Sequence, residues 1–462
     1  MTIAERPRAA APSRLPDELR AVYATGRTRT AQWRRAQLDA ITRLVAEREA
    51  DIAAAIEADL GRNAVESWLG EIASTRAEST YAARHVGRWM RRRRASIPLS
   101  QRPGSGWVQY EPLGVVMVIG PWNYPVYLTL GPAVAAVAAG NCLVIKPSEH
   151  APRTSALLAA LVPQYLDQQA VRVVEGGAGT TQDLLAAGFD HVLFTGGTGT
   201  GRKILEAAAP SLTPVTLELG GKSPVVIAPD ADLGVAARRL MWIKLMNAGQ
   251  TCIAPDYVIA HHSVRDALVA ELVAAASKFR GGLGLGLRVV DQRQQQRLAR
   301  YLSETRGRIV LGGATDADDL TIEATIVVDP DPDEPLMREE IFGPILPVLS
   351  VSSLDDAVAY VNTRPRPLAL YVFSRSRSRA RQIVDAIPAG GAVINHVAMH
   401  CLVPGLPFGG VGASGMGAYH GEAGFRTMSH AKSVLAKPLR PDFRFIYPPY
   451  SPRTLKLFRK VF

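Results

Sequence analysis

The sequence predicts an α/β protein built on doubly wound sheets. Short, wholly apolar runs alternate with helical stretches from about residue 113 onward, the texture of parallel strands joined by crossover helices. A glycine-rich turn follows one of those runs and opens a helix. At 462 residues and 47% hydrophobic content, the chain is too long for one simple core and calls for two large domains with smaller elements.

The first hundred residues read mostly as helix. From Ala31 to Leu60, apolar residues recur at three- and four-residue intervals, among them Leu38, Ile41, Leu44, Val45, Ile52 and Ile56. Gly61 is placed to stop that pattern. Between Pro98 and Pro112 the chain turns to Gly, Ser and Pro and then to Trp107-Val108-Gln109-Tyr110, an excursion containing a strand. Val115-Val116-Met117-Val118-Ile119 and Cys142-Leu143-Val144-Ile145 are buried strands, with a small-residue helix from Pro132 to Ala139 between them. Val171-Val174 and His191-Phe194 continue the series. A second alternating region starts at Ser223-Pro224-Val225-Val226-Ile227. It runs through Tyr257-Ala260, Ile309-Leu311, Ile326-Val328, Leu346-Val351, Ala369-Phe373 and Val393-Asn395. No repeat or low-complexity linker separates the two regions.

Composition narrows the function classes. No run of about 18 apolar residues predicts a membrane span. The first twenty residues mix Arg6, Arg8 and Arg14 with Glu5, Asp17 and Glu18, unlike a secretory signal. Three cysteines, Cys142, Cys252 and Cys401, do not make a disulfide framework, and a reducing cytoplasm suits a working thiol. The net charge of +11 raises the question of nucleic acid, but Arg91-Arg92-Arg93-Arg94 lacks aromatic platforms or a recognition module and reads as a solvated basic face. The tail Leu455-Lys456-Leu457-Phe458-Arg459-Lys460-Val461-Phe462 interleaves apolar and basic residues as an interfacial segment does. Its shortness favours docking on the protein or a partner subunit over a membrane surface.

Two residues carry the chemistry. Cys252 lies in Gly249-Gln250-Thr251-Cys252-Ile253-Ala254-Pro255, and Glu218 in Leu217-Glu218-Leu219-Gly220-Gly221-Lys222-Ser223-Pro224. A thiol adds to a carbonyl as its thiolate, and a carboxylate can activate water to release the product. Phe194-Thr195-Gly196-Gly197-Thr198-Gly199-Thr200-Gly201 sits between a strand and a helix, where glycines let backbone amides approach a phosphate. It is not a G-x-G-x-x-G fingerprint, and a tight structural turn remains an alternative. Lys146 and Glu149 follow a strand and face a ligand crevice if that strand is parallel; a surface ion pair is the competing reading. No His/Cys/Asp cluster has zinc-ligand spacing, so no metal is implied.

These segments, together with Pro121-Trp122-Asn123-Tyr124-Pro125, Lys146-Pro147-Ser148-Glu149, Glu339-Glu340-Ile341-Phe342-Gly343-Pro344 and Pro407-Phe408-Gly409-Gly410-Val411-Gly412, resemble the aldehyde dehydrogenase superfamily in content and order. Ser414-Gly415-Met416-Gly417-Ala418-Tyr419-His420-Gly421, Phe425-Arg426-Thr427-Met428-Ser429-His430 and Tyr447-Pro448-Pro449-Tyr450 resemble its class 3 branch, which contains fatty-, aromatic- and coniferyl-aldehyde dehydrogenases.

The resemblance implies an aldehyde dehydrogenase-like fold. An NAD(P)-binding domain would span 1–96 and 113–218, and a catalytic domain 219–424. A bridging and oligomerisation element would come from 97–112 and 425–440, with a C-terminal tail over 441–462. It implies oxidation of an aldehyde to the acid, with Cys252 as nucleophile, Glu218 as general base and Asn123 as oxyanion donor. Trp122, Lys146, Glu149, Gly196, Gly197, Thr198, Gly201, Glu340 and Phe342 would hold NAD, with NADP possible because this branch accepts both. Without the resemblance, Phe342 would read as core and Glu340 as surface. Also implied are a homodimer and a small-molecule aldehyde substrate; the composition itself reads as cytoplasmic and without a nucleic-acid partner. Tyr124, Met241, Trp242, Met246 and Ile253 are candidates for an apolar substrate funnel. His420 and His430 read as structural or pocket-lining, since no hydrolase signature surrounds Cys252. The alternatives are a coenzyme A-acylating enzyme, which needs no water-activating Glu218, a cofactor-free thiol esterase, and a nonenzymatic relative.

Overall fold

The computed structural model describes residues 14–279 and 287–461. Residues 1–13, which hold most of the stretch read above as no signal sequence, and Phe462 of the tail lie outside them. The pattern read over Ala31 to Leu60 is two helices, Ala31–Glu47 and Glu49–Leu60, broken at Arg48 (φ −111°, ψ 24°). No glycine or proline marks that break, so the apolar spacing ran through it. Thr30 caps the first helix by accepting the Trp33 N–H, and Gly61 closes the second at φ 69°, a conformation that favours glycine.

The first sheet has its strands in the spatial order Val171–Val173, Cys142–Lys146, Val115–Ile119, His191–Gly196 and Val215–Leu219, all parallel. The short strand Gly415–Met416 adds antiparallel to the outer edge, setting Gly415 opposite Glu218. The chain starts in the middle, winds outward over two strands and returns to the other side of Val115–Ile119. That reversal opens a crevice at the carboxyl ends of Val115–Ile119 and His191–Gly196. Residues of Val115–Ile119 and Cys142–Lys146 are buried throughout, as expected where helices cover both faces.

The second sheet runs Arg308–Leu311, Thr325–Val328, Ile345–Val351, Tyr257–His261, Pro224–Ile227, Ala369–Phe373 and Gly391–Ile394, parallel except for its first strand. A separate antiparallel sheet combines Arg93–Ala95, Ser105–Pro112 and Ser429–Ala436. The chain ends in a short helix, Pro452–Val461, with Leu455 and Leu457 exposed. Among the described residues, no helix is long and apolar enough to cross a membrane.

Candidate active site

A cleft of about 630 Å³ opens at the carboxyl ends of the first sheet. One wall follows directly from that sheet: Trp122 and Asn123 after Val115–Ile119, Lys146 and Glu149 at the end of Cys142–Lys146, Gly196 and Gly197 at the end of His191–Gly196, and Glu218 on Val215–Leu219. The other wall comes from connections of the second sheet, with Cys252 ahead of Tyr257–His261 and Glu340 and Phe342 ahead of Ile345–Val351.

The cysteine segment has an unusual backbone. Asn247, Ala248 and Gly249 lie consecutively at φ 52°, 53° and 71°. A Cβ at Gly249 would collide with the Gly343 backbone carbonyl, so glycine is required there by space as well as by φ. Gln250 is fully buried; its amide donates to the carbonyls of Asn247 (3.0 Å) and Arg288 (3.1 Å) and accepts from the Val290 N–H (2.9 Å). Asn123 Nδ2 donates to the Gln250 carbonyl at 3.0 Å, while Asn247 Nδ2 donates to the Asn123 carbonyl at 2.9 Å. One N–H of the Asn123 amide is thus used to fix the side chain, and the second is left for a ligand oxygen.

Cys252 is partly exposed to the cleft, yet its thiol is pushed well above its ordinary range, by burial first and then by the charges of Glu340 and Glu218. Glu218 is 2% exposed, and neither carboxylate oxygen has a hydrogen-bond partner among the described residues. Burial alone raises its carboxyl well above the carboxylate range. A buried acceptor left open beside a cleft is costly unless a ligand or water fills it.

The remaining residues form a cradle. Gly197 is the N-cap of helix Thr198–Ala208, with no side chain capping its first turn. A Cβ at Gly197 would meet nothing within 4 Å, so the space is kept open rather than filled by protein. Thr195 Oγ1, on the same strand end, is buried without a partner. Free amides at a helix start and an open glycine turn fit a phosphate. Lys146 is 3% exposed and its ammonium bonds Glu149 at 2.6 Å. Burial tends to raise the Glu149 carboxyl, but Lys146 outweighs it and holds it below the usual range. Phe342 stands at φ 48° with its ring edge-on to Trp122 (centroids 5.4 Å apart). Burial, and then the charge of Asp256, pushes the Glu340 carboxyl up to about 8. The cradle therefore fits a dinucleotide.

Not every candidate reaches the cleft. Thr198 turns to the Ala413 carbonyl at 3.5 Å. Gly201 is buried in its helix, where a Cβ would sit 2.6 Å from Leu219; its space is needed for helix-on-sheet packing. Met241, Met246 and Ile253 are packed into the core rather than lining the cleft, and Trp242 stands edge-on to His396. Tyr124 bonds Thr251 Oγ1 at 2.8 Å, beside the nucleophile segment. His420 is buried against Tyr127 (3.1 Å) and pushed down to about 3 by burial, a neutral structural ring; His430 is exposed on the third sheet. Burial raises Cys142 and Cys401 to about 12.

Sequence reasoning missed the residues behind the cleft. Lys222 joins Asp256 and donates to the carbonyls of Leu336 (2.9 Å) and Glu339 (2.8 Å), and Arg297 donates to those of Glu340 (3.0 Å) and Ile341 (2.7 Å). Together they hold the segment that presents Glu340 and Phe342. The lysine within Gly220-Gly221-Lys222-Ser223-Pro224 was the available signal.

Comparison with known proteins follows the same lines. The aldehyde dehydrogenase family pattern matches residues 17–434. Aldehyde dehydrogenase family 3 member A2 of Rattus norvegicus is 44% identical over 439 residues, 94% of this chain and 90% of that protein. The dimeric NADP-preferring aldehyde dehydrogenase of the same species is 42% identical over 437 residues, 93% of this chain and 96% of that protein. Among solved structures, the substrate-bound state of Staphylococcus aureus AldH superposes with a TM-score of 0.93 at 38% identity, covering 98% of this chain and 99% of that one. The chain therefore belongs to the aldehyde dehydrogenase family and oxidises aldehydes to carboxylic acids with NAD or NADP.

Proposed function

We propose that Cys252, Asn123 and Glu218 carry this reaction, and that the substrate is a medium- or long-chain aliphatic or an aromatic aldehyde. The observation that carries the reading is the juxtaposition in one cleft of a thiol, an amide with one N–H to spare and a carboxylate whose oxygens are unclaimed. Cys252, once deprotonated, adds through Sγ to the aldehyde carbon. The oxygen takes up the charge and is met by the free Asn123 N–H and the Cys252 backbone N–H. Such a donor typically contributes about 3–4 kcal/mol in the transition state. Bound NAD or NADP supplies the hydride acceptor. Loss of hydride from the thiohemiacetal carbon leaves a thioester on Cys252. Glu218 takes a proton from water, the water oxygen bonds to the acyl carbon, and the carbon–sulfur bond breaks to release the acid. Because burial raises the Glu218 carboxyl, deacylation gains from higher pH.

Lys146 and Glu149 would hold the adenosine ribose, Gly196 and Gly197 with the helix start a phosphate, and Glu340, Phe342 and Trp122 the nicotinamide end. A carboxylate at Glu149 favours the free 2′-hydroxyl of NAD, although one relative is described as NADP-preferring. That relative is also described as dimeric, and the sheet of Arg93–Ala95, Ser105–Pro112 and Ser429–Ala436 is the element we assign to a homodimer contact. The protein is read as cytoplasmic, in keeping with a working thiol. The test is reduction of NAD and NADP across hexanal, decanal, hexadecanal, benzaldehyde and coniferyl aldehyde, with glyceraldehyde as the short hydrophilic comparison. The expected result is highest kcat/KM with the longer aliphatic or the aromatic members and with NAD. Turnover confined to short hydrophilic aldehydes, such as glyceraldehyde, would overturn the substrate reading.

A further inference from the structure

We propose that Glu66 and Glu71 are positioning residues, set at a π-helical turn, that fix the Cys252 and Asn123 segments relative to one another; this rests on the reading of Asn123 as the oxyanion donor. The short helix Ala64–Ser67 passes directly into a π-helix, Trp68–Ala73, before continuing as Ser74–Trp89. With 3.6 residues per turn, side chains five apart in an α-helix diverge around the axis. The i→i+5 hydrogen bonding of a π turn brings such residues into line. Glu66 lies just before the π turn and Glu71 within it, five residues on, and each reaches a different half of the site.

Glu66 Oε1 accepts the Asn247 N–H at 2.9 Å. Asn247 begins the left-handed run that leads into Gln250 and Cys252, and its own side chain donates to the carbonyls of Asn123 (2.9 Å) and Gln250 (3.2 Å). Glu71 Oε2 accepts the N–H groups of Val126 (3.0 Å) and Tyr127 (2.7 Å), which end the Asn123 segment and open the helix Tyr127–Ala139. Its other oxygen is paired with Arg62, whose guanidinium lies 4.8 Å from the centre of the Tyr124 ring. Gly70, between the two glutamates, lets that ring approach: a Cβ there would lie 2.7 Å from it. Tyr124 in turn ties its loop to Thr251.

Glu66, Glu71 and Arg62 are 2%, 0% and 1% exposed. Capping a helix start needs only a short neutral acceptor such as serine. Two carboxylates buried behind an active site are a costly way to satisfy three backbone N–H groups unless their placement matters. What they share is that each grips a backbone segment carrying one oxyanion donor, the Cys252 N–H or the Asn123 amide.

A double-mutant cycle tests this. Glu71→Gln and Glu66→Ala are measured alone and in combination with Asn123→Ala, following kcat, aldehyde KM and NAD affinity by fluorescence quenching. Each single glutamate change is expected to lower kcat about tenfold or more, since a small misplacement of reacting groups is enough for that, with NAD affinity held within about twofold. In the Asn123→Ala background, the further loss should shrink to about twofold or less, the non-additivity of residues acting on one contact. Equal losses in both backgrounds, or a parallel loss of NAD affinity, would overturn the positioning role. Asn123→Ala with undiminished kcat would remove the oxyanion reading and this inference with it. Should Glu71→Gln fail to fold, Glu66→Ala leaves the Arg62–Glu71 pair intact and carries the same cycle.

Discussion

Replacing Glu340 with glutamine should stabilise the protein in a pH-dependent way. In the fold, burial and the neighbouring Asp256 push this carboxyl up to about 8, against the opposing pull of the Gly221 N–H, Lys222 and Arg297. In the unfolded chain it titrates near its ordinary 4.5. Below that value both states hold the proton, and burial of this group adds no ionisation penalty. As pH rises, the unfolded state releases its proton while the folded state keeps it. Stability then falls by about 1.4 kcal/mol per pH unit until the folded carboxyl ionises too. At neutral pH the cost is roughly 3 kcal/mol, an upper figure because local water softens such penalties. Glutamine keeps the shape and the acceptor for Gly221 without titrating. The assay is thermal unfolding of cofactor-free wild type and Glu340→Gln from about pH 5 to about pH 9, comparing the gap in Tm, since a chain of this size is not expected to unfold in two states. The gap should widen by a few degrees toward neutrality and level off near the folded value. A gap that stays constant with pH would show Glu340 ionised in the fold and refute the reasoning.

Two further substitutions probe the backbone around the cleft. Gly249→Ala puts a side chain at φ 71° and into the Gly343 carbonyl, so activity should fall about a hundredfold or more while NAD binding survives; near-wild-type turnover would mean the cysteine segment relaxes freely. Gly201→Ala presses on Leu219, one residue from Glu218. It should cost about 1–3 kcal/mol, read as a lower denaturation midpoint, with NAD affinity little changed; a large loss of NAD affinity at full stability would return Gly201 to the cofactor cradle.

The sheets were legible because their strands are short runs buried on both faces, as at Val115–Ile119 and Cys142–Lys146. The cleft was legible because its segments carry distinctive residues: Gly249, which φ and the Gly343 carbonyl require, Gly197, which leaves room at a helix start, and a cysteine just after the left-handed run. What escaped was charge buried for reasons of position. Glu66, Glu71 and Lys222 are charged residues that would ordinarily be assigned to solvent, and their partners come from segments far away in the chain. The helix break at Arg48 and the π turn at Trp68–Ala73 escaped because neither carries proline, and a change of hydrogen-bond register leaves little trace in apolar spacing. Met241, Met246 and Ile253 lie in the buried core, and a helical stripe of large apolar residues is the signature of core as much as of a substrate funnel.

The central claim is that Cys252 forms the acyl enzyme and Glu218 releases it. Mixing Glu218→Gln with NAD and decanal in a single-turnover experiment, followed by intact-mass analysis, tests it most directly. The account predicts a burst of about one reduced cofactor per active site, then arrest, with a decanoyl adduct that maps to Cys252 and is absent from Cys252→Ala. Steady turnover of Glu218→Gln at the wild-type rate, or an adduct that persists in Cys252→Ala, would contradict it.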